Sequence, residues 1–258
     1  MRLHRFFIDT PLTPGTARVK DAQLVNQWKN VLRLRVGDKL IVCKDGREAD
    51  AVIDALSSDE ASLTVGQLRT VGAEPQNHVT LCAAILKREN FEWAVQKATE
   101  VGVKEIIPII SERTVKTGLK MDRLRMIAKE AAEQCGRGMI PVIHEPMEFE
   151  KAIETKREGT HIFFHISPDT LFAPIPSPNP SPSFVWIGPE GGWTDAEASL
   201  AKDVGMEISS LGPRALRAET AAVVAAYLAC TGGACCTRAL HATPLLTPNT
   251  QCRVDDDR

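Results

Sequence analysis

At 258 residues, with 43% hydrophobic and 25% charged residues, the chain has the make-up of a water-soluble globular protein with room for one large domain or two smaller ones. A net charge of −2 excludes a partner chosen by bulk charge, and no window approaches the roughly 18 apolar residues of a membrane span. Charge is uneven locally: residues 1–50 hold ten Lys/Arg against six Asp/Glu, and residues 113–137 hold seven against three, which suits a polyanion.

The start, MRLHRFFIDTPL, has no apolar signal core. Seven cysteines, either isolated or crowded near the C-terminus, offer no second pair for a zinc site. No metal is expected, and a reducing, cytoplasmic location is.

Residues 3–8 (LHRFFI) predict a short strand, and 21–30 a helix with Leu24, Val25 and Trp28 at helical spacing. Gly37-Asp38 is a turn before a strand at 39–43. Asp45-Gly46 is a hairpin signal, with a returning strand at 48–56 and another at 61–68. Short strands at this spacing predict a small β-barrel of about 70 residues. The polar, turn-rich Gly72-Ala73-Glu74-Pro75-Gln76-Asn77 ends it, so residues 1–72 form one domain and 73–230 the next.

From His78 the texture changes. Residues 79–86 (VTLCAAIL) suit a strand buried on both faces. A helix at 91–102 closes on Gly102, a strand follows at 103–110, and a long helix at 120–135 carries Leu124, Ile127, Ala128, Ala131 and Ala132 on one face. A short helix falls within 145–158 and a buried strand at 160–166 (THIFFHI). Prolines at 174, 176, 178, 180 and 182 mark a surface loop. The alternation predicts a mostly parallel α/β domain. Residues 231–258 show no periodicity and read as a disordered tail.

Two strand-to-turn junctions carry the chemistry. Ile187-Gly188-Pro189-Glu190-Gly191-Gly192 and Leu211-Gly212-Pro213-Arg214-Ala215-Leu216-Arg217-Ala218-Glu219-Thr220 each set Gly-Pro after an apolar run, then a charge. Glycine lets backbone approach a ligand directly, and two such loops suggest one cleft at the ends of neighbouring strands. A helix is expected over 220–229.

These stretches, with Arg5-Phe6-Phe7, Val31-Leu32-Arg33, residues 96–103 (QKATEVGV), Ser111-Glu112-Arg113 and Glu133-Gln134-Cys135-Gly136-Arg137, carry a resemblance. Over residues 1–230 the chain resembles the bacterial-type 16S ribosomal RNA uracil-N3 methyltransferases of the SPOUT superfamily. The resemblance implies a PUA-like β-barrel followed by an α/β domain with a C-terminal trefoil knot. It also implies S-adenosyl-L-methionine as cofactor, a uridine of small-subunit rRNA in the 30S particle as target, and a homodimer.

On that reading, backbone of Gly188, Pro189, Glu190, Gly191, Gly192 and Gly212 holds the cofactor, with Ile187, Leu211, Leu216, His165, Arg217 and Thr220 around it. Uracil N3 bears a proton, so Arg217 is expected to stabilise developing charge and Glu219 or Glu190 to accept the proton. Arg5, Arg33, Lys87, Arg88, Arg113 and Arg137 are expected at RNA phosphates. Two further readings stand beside this one: a knotted methyltransferase acting on tRNA or a ribose 2′-OH, and a non-catalytic RNA-binding assembly protein. The intact glycine loops argue against the second.

Overall fold

The computed structural model describes residues 3–72, 74–115, 118–155, 157–166 and 182–232. The expected tail after 232, and the proline loop as far as 181, lie outside the described residues.

The first sheet is built from β1 (Arg5–Phe7), β2 (Gly15–Val19), β3 (Lys39–Lys44), β4 (Arg47–Leu56), β5 (Ala61–Val65) and β6 (Arg69–Thr70), in the order β1-β3-β4-β5-β2 with β6 on β4. β3 and β4 form the expected hairpin about Asp45-Gly46, in register from Lys39 opposite Val52 to Lys44 opposite Arg47. Strand β2 carries no sequence signal, because only Ala17 and Val19 face the core. The expected helix over 21–30 splits into α1 (Ala22–Asn26), capped by the Asp21 carboxylate, and a wider π-helical turn at Gln27–Val31 that buries Trp28.

The second sheet contains β7 (Val79–Ala84), β8 (Glu105–Ile110), β9 (Val142–Ile143), β10 (Met147–Glu148), β11 (Thr160–Phe164), β12 (Ser183–Ile187) and β13 (Glu207–Ser209). All pairings are parallel, in the order β10-β8-β7-β12-β11-β13 with β9 on β8. The helices are α2 (Arg88–Val101), α3 (Met121–Cys135), α4 (Phe149–Glu154), α5 (Asp195–Asp203) and α6 (Ala218–Thr231). Pro108 sits inside β8 without harm: β9 pairs with Glu105 and Ile106 and β10 with Ile109 and Ile110, so Pro108 has no outer partner to deprive of an N–H.

Period two divides the side chains of this sheet between two cores. Val185 and Ile187 of β12 join α2, α3 and α6 on one face, while Phe184 and Trp186 join α4 and α5 on the other. The alanines of α6 (Ala222, Ala225, Ala226, Ala229) let that helix lie close on the sheet and α2. Among the described residues no helix is long and apolar enough to cross a membrane.

The two sheets are joined through α3. Phe7 of β1 donates its backbone N–H to Glu133 Oε1 at 3.0 Å, and Phe7, Cys43 and Ala132 share a small core. Burial pushes the Glu133 carboxyl up from its ordinary range, against the pull of the Phe7 N–H. Gly138 is pressed against Val71 of the first unit, where a Cβ would meet Val71 Cγ2 at 2.7 Å.

Candidate active site

Four parallel strands end on one side of the sheet, and their following loops enclose a cleft of about 990 Å³. Phe164 and His165 come from the end of β11, and residues 187–193 from β12 onward. Residues 210–219 follow β13, and Lys87 opens α2 after β7. Parallel pairing brings these four carboxyl ends together, so loops far apart in sequence share a wall.

The glycine loop after β12 is a turn closed by the Gly192 N–H donating to Pro189 O at 2.8 Å. Gly188 packs closely on Trp193: a Cβ there would lie 3.1 Å from Trp193 N and 3.2 Å from Trp193 Nε1, a tight fit that needs Trp193 to give by a few tenths of an ångström. Glu190 Oε1 accepts the Lys87 backbone N–H at 3.1 Å, tying the loop to the N-terminus of α2. Arg113 Nη1 donates to Gly191 O at 2.7 Å and to Trp193 O at 3.3 Å.

The second loop turns at Gly212, whose φ of +108° disfavours any side chain. Ser210 holds that turn, its Oγ accepting the Gly212 N–H at 3.1 Å. Arg217 is the N-cap of α6 and exposed; Glu219 is in the first turn, where a carboxylate suits the helix dipole. Glu219 Oε2 is buried and has no hydrogen-bond partner, and the same is true of Trp193 Nε1. Both residues line the cleft. An unpaired buried acceptor is costly, so one in a cleft wall marks a place where a ligand donor would be welcome.

A family model for an RNA methyltransferase domain matches residues 73–229, more than half of the chain. The ribosomal RNA small subunit methyltransferase E of Bacillus subtilis is 32% identical over 222 residues, covering 78% of this chain and 84% of that protein. This chain belongs to the ribosomal RNA small subunit methyltransferase E family. The Synechocystis member is 35% identical over 221 residues, covering 82% of this chain and 71% of its own. Among solved structures, a putative methyltransferase from Legionella pneumophila with bound cofactor SAM superposes with a TM-score of 0.81 at 29% identity, over 89% of this chain and 97% of that one. The small subunit methyltransferase E of Neisseria gonorrhoeae, bound to S-adenosyl methionine, gives 0.79 at 27% identity, over 87% and 95%.

Set on this methyltransferase framework, the residues expected from sequence separate. His165, Ile187, Gly188, Pro189, Glu190, Gly191, Gly192, Leu211, Gly212, Leu216, Arg217 and Glu219 all line the cleft. Thr220 does not; helix α6 begins at Ala218, earlier than expected, and turns Thr220 away while Ala218 and Ala221 line the wall.

The expected phosphate contacts separate too. Arg33, Lys87, Arg88 and Arg113 are exposed, and of these Lys87 and Arg113 line the cleft. Arg137 is a correction: it is 2% exposed and hydrogen-bonded to Glu74, Thr99 O and Val103 O, so it cannot meet RNA. Arg5 is half-buried, paired with Glu48 and donating to Cys43 Sγ at 3.1 Å. A buried cation must be paired within the protein, as Arg137 is. Arg214, exposed on the cleft wall, was missed although it lies inside the second glycine motif; Asn90, half-buried there, carries no sequence signal.

Proposed function

We propose that this methyltransferase moves a methyl group from S-adenosylmethionine to N3 of one uridine in small-subunit ribosomal RNA, as a cytoplasmic homodimer. The observation that carries the reading is the cleft itself: two glycine loops at the ends of β12 and β13, which flank β11, with Arg217 and Glu219 in its wall.

The residues present fit the cofactor. The volume is that of a pocket for a ligand of nucleoside size. Gly188 and Gly212 bring backbone without a side chain to the cleft wall, where an adenine edge can approach closely, while Ile187, Leu211 and Leu216 offer apolar surface. The unpaired Glu219 Oε2 awaits a donor. When bound, S-adenosylmethionine supplies an already activated methyl group, so the protein's part is to position, to exclude water and to manage one proton.

Glu219 accepts the proton leaving uracil N3 as the N3–carbon bond forms. Arg217 faces the negative charge that spreads onto the uracil oxygens. Exposed Arg33, Lys87 and Arg88 hold phosphates by an electrostatic attraction that weakens with salt.

In the same reading the first sheet is the family's PUA-like barrel, residues 1–72. Its two end strands share one core, Phe6 of β1 with Ala17 and Val19 of β2, as a curled sheet requires. Residues 73–230 form the SPOUT domain with its knot; the late strands β11 and β12 lie inside the sheet, between β7 and β13, in keeping with a chain end that passes inward. Val224 and Tyr227, 37% and 46% exposed, leave an apolar stripe on the outer side of α6 that suits a second copy.

Transfer of a tritiated methyl group to small-subunit RNA, with the product mapped by mass spectrometry, tests the reading. N3-methyluridine is expected; a ribose product, or no transfer together with no cofactor binding, overturns it.

A further inference from the structure

We propose that Arg113 is a positioning residue of the methyltransferase cleft, and that the short loop 111–115 after β8 is a brace for the glycine loop after β12. This rests on the cleft being the cofactor site. From sequence, Arg113 belongs with the phosphate contacts; in the structure this exposed side chain lies along the cleft wall and bonds to the protein's own backbone.

The brace is anchored at both ends. Arg113 Nη1 donates to Gly191 O and to Trp193 O, at 2.7 and 3.3 Å. One residue earlier, the Glu112 N–H donates to Glu197 Oε1 at 3.0 Å. Glu197 is buried, and its other oxygen accepts the Thr194 N–H at 2.7 Å, while Thr194 Oγ1 accepts the Glu197 N–H. One carboxylate therefore caps α5, ends the glycine loop and fixes loop 111–115. Buried Ser111 closes that loop on Thr114: its N–H donates to Thr114 Oγ1, and the Thr114 N–H donates back to Ser111 O, each at 3.0 Å.

The physical need is clear. A loop containing Gly188, Gly191 and Gly192 has more conformational freedom to lose than one built of residues with side chains, and ordering it opposes ligand binding unless it is held beforehand. Charge-assisted bonds to two of its carbonyls hold those peptide planes before a ligand arrives. The methylene stem of Arg113 adds contact, since a Cβ at Gly191 would meet Arg113 Cδ at 3.3 Å.

The test is calorimetric titration of S-adenosylmethionine, without RNA, into the wild-type protein, Arg113→Ala and Arg113→Lys. It is paired with amide hydrogen exchange of residues 188–194 in the cofactor-free protein and with steady-state KM for cofactor and RNA. Arg113→Ala is expected to weaken cofactor binding about tenfold, for the loss of bonds worth about 1.5 kcal/mol or more. Exchange in residues 188–194 rises, the thermal midpoint and the KM for RNA stay near wild type, and Arg113→Lys recovers part of the affinity. Unchanged cofactor affinity and loop exchange, with a raised and less salt-sensitive KM for RNA, overturns the proposal in favour of a phosphate contact. Exchange rising throughout the sheet makes Arg113 merely structural and overturns it too. A wild-type protein that binds no S-adenosylmethionine removes the cofactor reading beneath the proposal, and the proposal with it.

Discussion

Arg137 Nη2 lies 2.9 Å from Glu74 Oε2, and this pair locks the start of the second unit to the turn after α3. Arg137 also donates to Thr99 O and Val103 O, at 3.0 and 2.7 Å, while Glu74 Oε1 accepts the N–H groups of Gly138 and Met139. The Arg137 side chain is only 3% exposed. Glu74→Ala strands that cation and is expected to cost about 3–5 kcal/mol, read as a lower urea midpoint with an unchanged slope. Arg137→Met costs less, because Glu74 keeps its two backbone donors, and it leaves RNA affinity at a given salt concentration unaltered.

The glycine loops can be tested by adding side chains. Gly212→Val forces a β-branched residue into a left-handed backbone and strains the turn by about 1–3 kcal/mol. Gly191→Val crowds Arg113. Each is expected to weaken S-adenosylmethionine binding at least about tenfold by calorimetry, a factor worth about 1.4 kcal/mol, while the first sheet keeps its circular dichroism. Wild-type affinity in both variants would remove the cleft from the cofactor's path.

Glu219→Gln keeps the shape of the side chain and removes its ability to take a proton. Single-turnover methyl transfer is expected to slow on the order of a hundredfold, with cofactor affinity nearly unchanged. Arg217→Ala is expected to slow transfer by a similar factor through lost charge stabilisation. A Glu219→Gln enzyme as fast as wild type would leave Glu219 as a helix-terminal carboxylate and nothing more.

Glu105 gives a pH-dependent term outside the cleft. It receives hydrogen bonds from His144 and His78, each at 2.7 Å, and from Arg157 at 3.0 Å. Burial pushes its carboxyl up, but His144, His78 and Arg157 outweigh burial and hold it at about 2, against an ordinary 4.5. A carboxyl with a depressed folded pKa stabilises the protein fully above the unfolded value. That contribution is lost as pH falls from about 4.5 towards 2. Glu105→Gln is therefore expected to lower the urea midpoint at pH 6, and the gap to wild type should narrow at pH 3. A gap that is constant with pH would show that the carboxyl's charge is not what holds these segments.

Much of this was legible because it is local. Runs such as VTLCAA in β7 reveal strands buried on both faces, and Gly102, at the left-handed C-cap of α2, marks where that helix stops. The two Gly-Pro motifs predict a shared cleft, and every residue from Ile187 to Gly192 lines it. Strand β2 was illegible because a half-exposed edge strand buries too few residues to show a period.

Charge was the property least decided by sequence. Arg5, Arg113 and Arg137 are alike as letters, and all three suggest phosphate. Only the packed structure sends Arg137 under Glu74, Arg5 onto Glu48, and Arg113 against the carbonyls of Gly191 and Trp193. A helix or turn follows from neighbours a few positions away, whereas the partner of a guanidinium is set by which distant strands lie side by side. Arg113 reaches Gly191 across 78 positions because β8 and β12 flank β7 and end on the same side of the sheet.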